Sequence, residues 1–271
     1  MVWNWCDGPR NNRPGEEELC KLARKAADID WPCEVKTRFL EHNLGCRQAV
    51  SSHIDWFFSQ VDEGIIIEDD CLPSVDFFRF AAEMLDRYRD DDRIMHIAGA
   101  NFQNGIKRGS GDWFFSHIPH IWGWASWRRA WKKYDVEMRD FPEVAGSEQL
   151  RHALPENPFF RWKLMQMFRK TFEHSPHFDT WDCQWHYAVA KNNGYAINPN
   201  YNLVANIGGS SSHQISGSLC RIPFGELPQE LTTPDRIYCD RCAEAYTGRQ
   251  CYRTTWKDLA KWLISMVGIT W

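Results

Sequence analysis

Three consecutive carboxylates, Glu68-Asp69-Asp70, directly follow the apolar run Ile65-Ile66-Ile67. Three adjacent isoleucines have the composition of a strand that is buried on both faces. Acids at the end of such a strand repel one another at neutral pH unless a cation lies among them. Carboxylate oxygens suit Mg²⁺ or Mn²⁺, which usually keep substrate phosphates among their ligands. The stretch therefore predicts a site for a divalent metal and a phosphate group; the alternative is a solvated acidic turn.

Two more acids and one histidine stand where they could serve the same site. Asp7 follows an apolar first strand, and Asp182 stands in the first turn of a predicted helix. Asp182 either complements the helix dipole or acts as a base at the mouth of a cleft. His213 ends a Gly/Ser-rich loop, which is either a flexible tether or a loop that wraps a diphosphate and gives the metal a nitrogen ligand. Gly45 lies near the start of another predicted helix, whose backbone N–H groups would then be open to an anion.

The aromatic content indicates a second kind of contact, because the 271 residues include 15 Trp and 16 Phe. Flat aromatic faces suit sugar rings or nucleobases. The densest run is Trp122-Gly123-Trp124-Ala125-Ser126-Trp127, in which the small residues leave room for the rings to face a cleft. The alternative is that these rings fill the seam between sheet and helices.

Charge and composition exclude some classes of protein. A net charge of -4 without a long Lys/Arg run argues against nucleic acid as the main partner. The chain has no apolar stretch of transmembrane length. Ten cysteines without a preceding signal peptide favour a reduced, cytoplasmic protein with free thiols. The alternative is a structural zinc site at Cys239 and Cys242 with Cys220 and Cys251.

The elements that must position these groups follow from hydrophobic periodicity. Strands are predicted at 2–6, 34–40, 65–67, 93–99, 195–199 and 203–206. Helices are predicted at 16–28, 43–58, 75–88, 158–172, from 180 onwards and at 256–271. This alternation predicts an α/β fold with a mostly parallel, Rossmann-like central sheet that is flanked by helices. Ligands bind beyond the carboxyl ends of such strands, where Asp7 and Glu68 to Asp70 are predicted to lie.

In their order and spacing, these pieces resemble glycosyltransferases of the GT-A type, whose acid motif of the DxD kind stands here as Glu68-Asp69-Asp70. The resemblance is closest to bacterial family 2-like sugar transferases and more distant to N-acetylglucosaminyltransferase I. It covers about residues 2 to 213. The other segments that carry it are Asp7-Gly8-Pro9, Asn43-Leu44-Gly45, Trp122 to Trp127, Trp181-Asp182-Cys183-Gln184-Trp185 and Asn202 to Gly208.

The resemblance implies a role for each matching residue. Asp70 would ligate Mn²⁺ or Mg²⁺ directly, while Glu68 and Asp69 would hold the nucleotide ribose or a metal-bound water. Asp7 would contact the base, with help from Asn43. Three further roles follow: Asp182 is the catalytic base of an inverting enzyme, His213 lies near the diphosphate and the metal, and Trp122, Trp124 and Trp181 shape the sugar sites.

The expected protein is thus a metal-dependent hexosyl- or N-acetylhexosaminyltransferase of polysaccharide biosynthesis. Its donor would be a nucleotide-diphosphate sugar, with a UDP-sugar favoured, and its acceptor a glycan or a lipid-linked hydroxyl. Residues 1–216 would form a GT-A domain that lacks the family's first βα unit, and 217–271 a C-terminal extension. The amphipathic segment 256–271 would dock on the domain or touch the inner face of the membrane.

Two other functions stay open from the residues. A sugar-phosphate nucleotidyltransferase would also use acids at a sheet end with a divalent metal, but the Gly-rich loop with Arg and Lys that it needs near the first strand is not seen. A non-catalytic carbohydrate- or nucleotide-binding protein of this fold would use the tryptophans and need no metal.

Overall fold

A computed structural model describes residues 1–10, 13–174, 178–208, 222–252 and 255–266. The strands in these ranges are β1 Val2–Cys6, β2 Val35–Phe39, β3 Glu63–Ile66, β4 Cys71–Pro73, β5 Ile94–Ala98, β6 Trp113–Ser116, β7 Trp124–Trp127, β8 Tyr195–Pro199 and β9 Val204–Asn206. The α-helices are α1 Glu16–Arg24, α2 Gly45–Gln60, α3 Val75–Arg87, α4 Arg128–Trp131, α5 Phe141–Val144, α6 Glu148–Ala153, α7 Pro158–Phe172, α8 Asp182–Lys191, α9 Arg241–Cys251 and α10 Trp256–Met266. A 3₁₀ turn, Lys25–Ala27, continues α1.

The central sheet is mixed, with strand order β3-β7-β5-β8-β6. Of its neighbouring pairs only β5–β8 is parallel, while β3–β7, β5–β7 and β6–β8 are antiparallel. A separate parallel pair, β1–β2, and a short antiparallel pair, β4–β9, complete the strands of the described residues. The α/β class is confirmed, but the prediction of a mostly parallel sheet is wrong.

The difference arises from the aromatic run, which was predicted to line a cleft. Its last four residues form β7, in which every residue is buried and which lies between β3 and β5 and runs antiparallel to both. Ser126 fixes this position, since its hydroxyl donates a 2.7 Å hydrogen bond to the Met95 carbonyl in β5. A tryptophan-rich strand was not recognised because aromatic residues stand on both of its faces, which hides the alternation of period two.

Helix α2 covers the face of the sheet next to β1. Its buried side presents Ile54, Phe57 and Phe58, which pack with Trp124, Trp131 and Trp185 in one core cluster. A second cluster lies against the other face, where α3 contributes Phe77, Phe80 and Met84. Helices therefore cover the sheet on both faces, as in other α/β proteins.

The C-terminal residues 222–252 pack into the same body. In α9, Glu244 is buried and accepts a 2.8 Å hydrogen bond from the backbone N–H of His117. Thr247 accepts a 2.9 Å bond from the side-chain amide of Gln103. Helix α10 contacts α7, where the rings of Phe159 and Trp262 lie 5.5 Å apart. None of the helices in the described ranges is both long and apolar enough to cross a membrane.

Candidate functional site

A cleft of about 1690 Å³ opens between β1 and β3 and extends to the starts of α2 and α8. One end of it is polar. That end is formed by Asp7, Asn43, Glu68, Asp69, Asp70, Thr180, Trp181, Asp182 and Asn206. The fold thus brings together acids from stretches of the chain that are far apart in sequence, and all of the predicted acids lie here.

The acids after β3 are held by a tight turn and by β9. The backbone N–H of Cys71 donates a 3.0 Å bond to the Glu68 carbonyl, which closes the turn. The N–H of Ile207 then donates a 2.7 Å bond to the Asp70 carbonyl, next to the β4–β9 pair. As a result, one ligand atom each of Glu68, Asp70 and Cys71 lies within 4.8 Å of the others.

The electrostatics of this group favour a cation. Burial raises the pKa of Glu68 to about 8, and the charges of Asp70, Asp182 and Asp69 add to the effect, while a hydrogen bond from Trp181 opposes it. Burial also raises the pKa of the Cys71 thiol, so this group stays protonated. The thiol donates a 3.5 Å bond to Asp70. Without a cation Glu68 is also mostly protonated at pH 7, so a bound metal would displace its proton; the carboxylate oxygens of Glu68 and Asp70 would then be the donors that Mg²⁺ and Mn²⁺ prefer.

Asp7 and Asn43 meet at the carboxyl end of β1. The side-chain amide of Asn43 donates a 2.8 Å hydrogen bond to Oδ2 of Asp7. Oδ1 of Asp7 accepts the N–H groups of Gly8 at 2.8 Å and of Leu44 at 3.0 Å. The structure thus places Asp7 and Asn43 in direct contact. The hydrogen bonds of both side chains also connect the end of β1 to the start of α2. Asp7 and Asn43 therefore stabilise this local structure in addition to lining the cleft.

Asp182 is the first residue of α8 and lines two cavities. Its Oδ1 accepts a 2.9 Å bond from the N–H of Cys183 and a hydrogen bond from the hydroxyl of Thr180. The side chain borders the large cleft and also a cavity of about 180 Å³ that continues past Trp122 to Tyr252. Trp181 stands at the N-cap position of α8.

A group of hydrogen bonds that the sequence did not reveal lies beside this segment. The carboxylate of Asp179 accepts the N–H groups of Cys46 at 3.0 Å and of Arg47 at 3.1 Å, at the start of α2. The buried Arg47 guanidinium donates to the carbonyls of Thr171, at 3.0 Å, and Phe178, at 3.2 Å. The anion at this helix N-terminus is thus a side chain of the chain itself, which corrects the prediction of an open anion site there.

Gly45 makes that arrangement possible. Its φ of +77° lies in the left-handed region, which non-glycine residues rarely adopt. A Cβ atom at this position would lie 2.8 Å from a carboxylate oxygen of Asp179. No local sequence signal announces the contact, because Asp179 and Arg47 are 132 residues apart.

The tryptophans divide between core and cleft. Trp124 is fully buried, stacks on Trp181 at 5.6 Å and lines neither of the two cavities, so its predicted contact with a sugar is not supported. Trp181 is also buried, but its indole N–H reaches Oε1 of Glu68 at 3.1 Å. Trp122 borders both cavities and packs edge-on against Phe102. The alternative in which rings fill the core holds for Trp124.

Two predicted features are not placed. His213, which was expected near the diphosphate, lies outside the described residues, as does Cys220. Cys239 and Cys242 belong to no group of three candidate metal ligands in the part of the chain that is described. The zinc alternative therefore has no support from these two residues.

Comparison with known proteins adds no family to this picture. Neither a scan against family models nor a search of curated proteins finds a match to the chain. The function is therefore inferred from the cleft, its acids and its surroundings.

Proposed function

We propose that this protein transfers a sugar from a nucleotide-diphosphate sugar to a hydroxyl acceptor, with Mn²⁺ or Mg²⁺ as cofactor and a fold of the GT-A type. The observation that carries the proposal is the polar end of the cleft. There Asp7 with Asn43, the acids of the β3 turn and Asp182 border one open space. In this proposal the nucleoside contacts Asp7 and Asn43, the metal-bound diphosphate contacts the acids of the β3 turn, and the acceptor hydroxyl contacts Asp182.

Glu68 and Asp70 would hold the metal, because their oxygens lie within 4.8 Å of each other. When bound, the metal supplies positive charge that stabilises the leaving diphosphate. Asp69 is exposed beside them and is available to the ribose or to a water. Asp7 and Asn43 would position the base, for which a uracil is favoured by the resemblance described above.

Asp182 would remove the proton of the acceptor hydroxyl as that oxygen attacks the anomeric carbon. Its place at the junction of the two cavities supports this role, because donor and acceptor must meet at the base. A single base of this kind is typical of an inverting transfer. Trp122, which borders both spaces, would contact the sugar.

The surroundings of Asp182 are consistent with two substrates. The polar end of the large cleft would hold the donor, and a glycan or a lipid-linked sugar would approach from the cavity that continues past Trp122. In α10, Trp256 and Met266 are exposed, which supports contact of this helix with the inner face of a membrane in a cytoplasmic protein.

Calorimetry with UDP, in the presence and absence of Mn²⁺, tests the proposal. We expect binding that requires the metal, followed by release of UDP from a UDP-sugar when an acceptor is supplied. Sugar binding without any metal requirement would instead indicate the non-catalytic protein. Formation of a UDP-sugar from UTP and a sugar phosphate would indicate the nucleotidyltransferase.

A further inference from the structure

Two cysteine side chains converge on one backbone oxygen at the carboxyl end of β1. The thiol of Cys6, the last residue of β1, donates a 3.1 Å hydrogen bond to the Asp7 carbonyl. The thiol of Cys20, in the middle of α1, donates a 3.7 Å bond to the same oxygen. The two sulfur atoms are therefore neighbours, although one belongs to a strand and the other to a helix.

The thiol of Cys6 also interacts with two side chains of α1. Burial raises the pKa of this thiol, and the neighbouring Cys20 thiol raises it further. The guanidinium of Arg24, which stands one helical turn after Cys20, has the opposite effect on the same pKa. Cys6 thus lies beside both a second thiol and a cation, the two partners that distinguish a reactive cysteine from an inert one.

The guanidinium of Arg24 is fixed in place and keeps one donor unused. Its Nη2 donates a 2.7 Å hydrogen bond to the Leu40 carbonyl, and its Cζ lies 5.3 Å from the centre of the Phe39 ring. Its Nε is buried and has no hydrogen-bond partner in the part of the chain that is described. A thiolate at Cys6 would therefore gain the charge of a guanidinium that is already positioned next to it.

Both thiols are accessible, and the helix that carries one of them can move. Cys6 and Cys20 are partly exposed and line the open cleft, so a small oxidant can reach them. Helix α1 contains no buried residue, which means that a small shift of this helix disturbs little packing. Such a shift is what a disulfide requires, because its two sulfur atoms must approach to about 2.05 Å.

We propose that Cys6 and Cys20 form a site of reversible oxidation by hydrogen peroxide, in which a disulfide links α1 to the end of β1. The thiolate of Cys6 attacks one oxygen of the peroxide, the O–O bond breaks, and the departing hydroxide takes up a proton as water. The sulfur of Cys20 then attacks the resulting sulfenic acid, the S–S bond forms, and a second water leaves. In total the two thiols lose two electrons and two protons, and a dithiol reductant restores them.

Oxidation at this site changes the surroundings of Asp7. A disulfide has no S–H group, so the Asp7 carbonyl loses the two hydrogen bonds that it accepts in the reduced protein. The reaction is also expected to be slow at neutral pH, since the raised pKa of Cys6 leaves little of the reactive thiolate. Disulfides of this kind in reducing compartments are usually transient. The inference does not depend on the proposed enzymatic function.

Peptide mapping of the whole chain tests the oxidation site. The reduced protein is treated with hydrogen peroxide, its remaining thiols are blocked, and its proteolytic peptides are identified by mass spectrometry without reduction. We expect a pair of peptides joined through Cys6 and Cys20 that separates again after treatment with dithiothreitol. Because the thiolate fraction rises about tenfold per pH unit below the pKa, this pair should form about tenfold faster at pH 8 than at pH 7.

Substitutions provide the second arm of the test. Cys6→Ser and Cys20→Ser should each eliminate the joined peptides, and Arg24→Gln should slow their formation by at least about threefold. Cys33→Ser is the matched control, because Cys33 is also partly exposed but does not line the cleft, and it should leave the rate unchanged. The proposal is overturned if peroxide joins no Cys6 and Cys20 peptides, if Cys33→Ser prevents the joining, or if Arg24→Gln reacts as fast as the unaltered chain.

Discussion

The indole N–H of Trp181 donates a hydrogen bond of 3.1 Å to Oε1 of Glu68. This bond joins the segment before α8 to the turn after β3, across 113 residues of sequence. Because Asp182 follows Trp181 directly, the bond also sets the position of the candidate base relative to the candidate metal ligands.

Replacing Trp181 by Phe should therefore lower the free energy of unfolding. The buried ring is kept, but the Glu68 carboxyl loses its donor, a change that costs about 1 to 3 kcal/mol. Urea unfolding at pH 7 measures the effect. Trp256→Phe is the matched control, since Trp256 is 87% exposed, and it should shift the value by less than about 0.5 kcal/mol. Equal effects of the two variants would contradict the role of this bond.

Asp70→Asn should abolish metal-dependent binding of UDP. The substitution keeps the shape of the side chain and removes the charge that a divalent cation requires, so the affinity for Mn²⁺ should fall by at least about a hundredfold. Titration calorimetry measures the affinities for Mn²⁺ and for UDP. Asp86→Asn changes an acid of α3 whose side chain is 78% exposed and which does not line the cleft, so it should leave the affinity nearly unchanged. If Asp70→Asn binds Mn²⁺ and UDP normally, Asp70 is not a ligand.

Asp182→Asn should separate binding from turnover. The side chain can still accept the hydrogen bond from Cys183, so the start of α8 is kept, but the amide cannot take up a proton. Transfer from a UDP-sugar should slow by about 10² to 10⁴-fold, the usual contribution of a general base. UDP and Mn²⁺ should bind as before. Turnover close to that of the unaltered protein would eliminate Asp182 as the base.

Asp179→Ala should destabilise the start of α2. Loss of a carboxylate that accepts two backbone N–H groups at a helix N-terminus costs about 0.5 to 2 kcal/mol. Thermal and urea unfolding would measure this change. Asp86→Ala, whose side chain is 78% exposed on α3, is the control and should be nearly neutral. A destabilisation no larger than that of the control would contradict the capping role.

Buried histidines should make the fold sensitive to acid. Burial lowers the pKa of His96, His120 and His186 to about 3 in each case. An unfolded histidine titrates near 6.5, so below that pH the unfolded chain binds more protons than the folded one. The contribution of these histidines to the free energy of unfolding should be fully present above about pH 6.5 and fall as the pH decreases towards 3. Each group contributes up to about 1.4 kcal/mol per pH unit.

The role of one histidine can be isolated. Nδ1 of His96 accepts a 3.1 Å bond from the indole of Trp185, and its Nε2 lies 3.0 Å from the His120 carbonyl, so Nε2 carries the proton. His96→Gln can accept and donate in the same way but cannot become charged. The slope of unfolding free energy against pH between 6 and 4 should therefore be smaller in this variant by about 1 kcal/mol per unit. An unchanged slope would contradict the assignment.

Local sequence patterns predicted several secondary-structure elements of this protein with the correct bounds. The bounds of β1, α7 and β8 follow from alternation, from Pro158 at a helix start and from turn residues, and they match the structure. The acids at strand ends were found for the same reason, since an apolar run that stops at carboxylates is visible in one stretch. The proximity of Asp7 and Asn43 could also be predicted from the sequence, because both residues follow strands that lie side by side.

What the sequence did not reveal depends on contacts between distant segments. The capping of α2 by Asp179 needs a chain path that no periodicity encodes. The antiparallel β7 was hidden because tryptophans can serve a strand, a core or a cleft, and only the neighbours β3 and β5 decide among these. Burial of Trp124 is likewise a property of the packed sheet and not of the Trp-Gly-Trp pattern.

Helix α2 touches both halves of the candidate site. Its first turn is bonded to Asp7 on one side and to Asp179 on the other. The residues expected to hold the nucleoside and the segment that precedes Asp182 are thus both hydrogen-bonded to the start of the same helix. We therefore expect the donor and the base to keep their relative positions as long as these bonds to α2 are present.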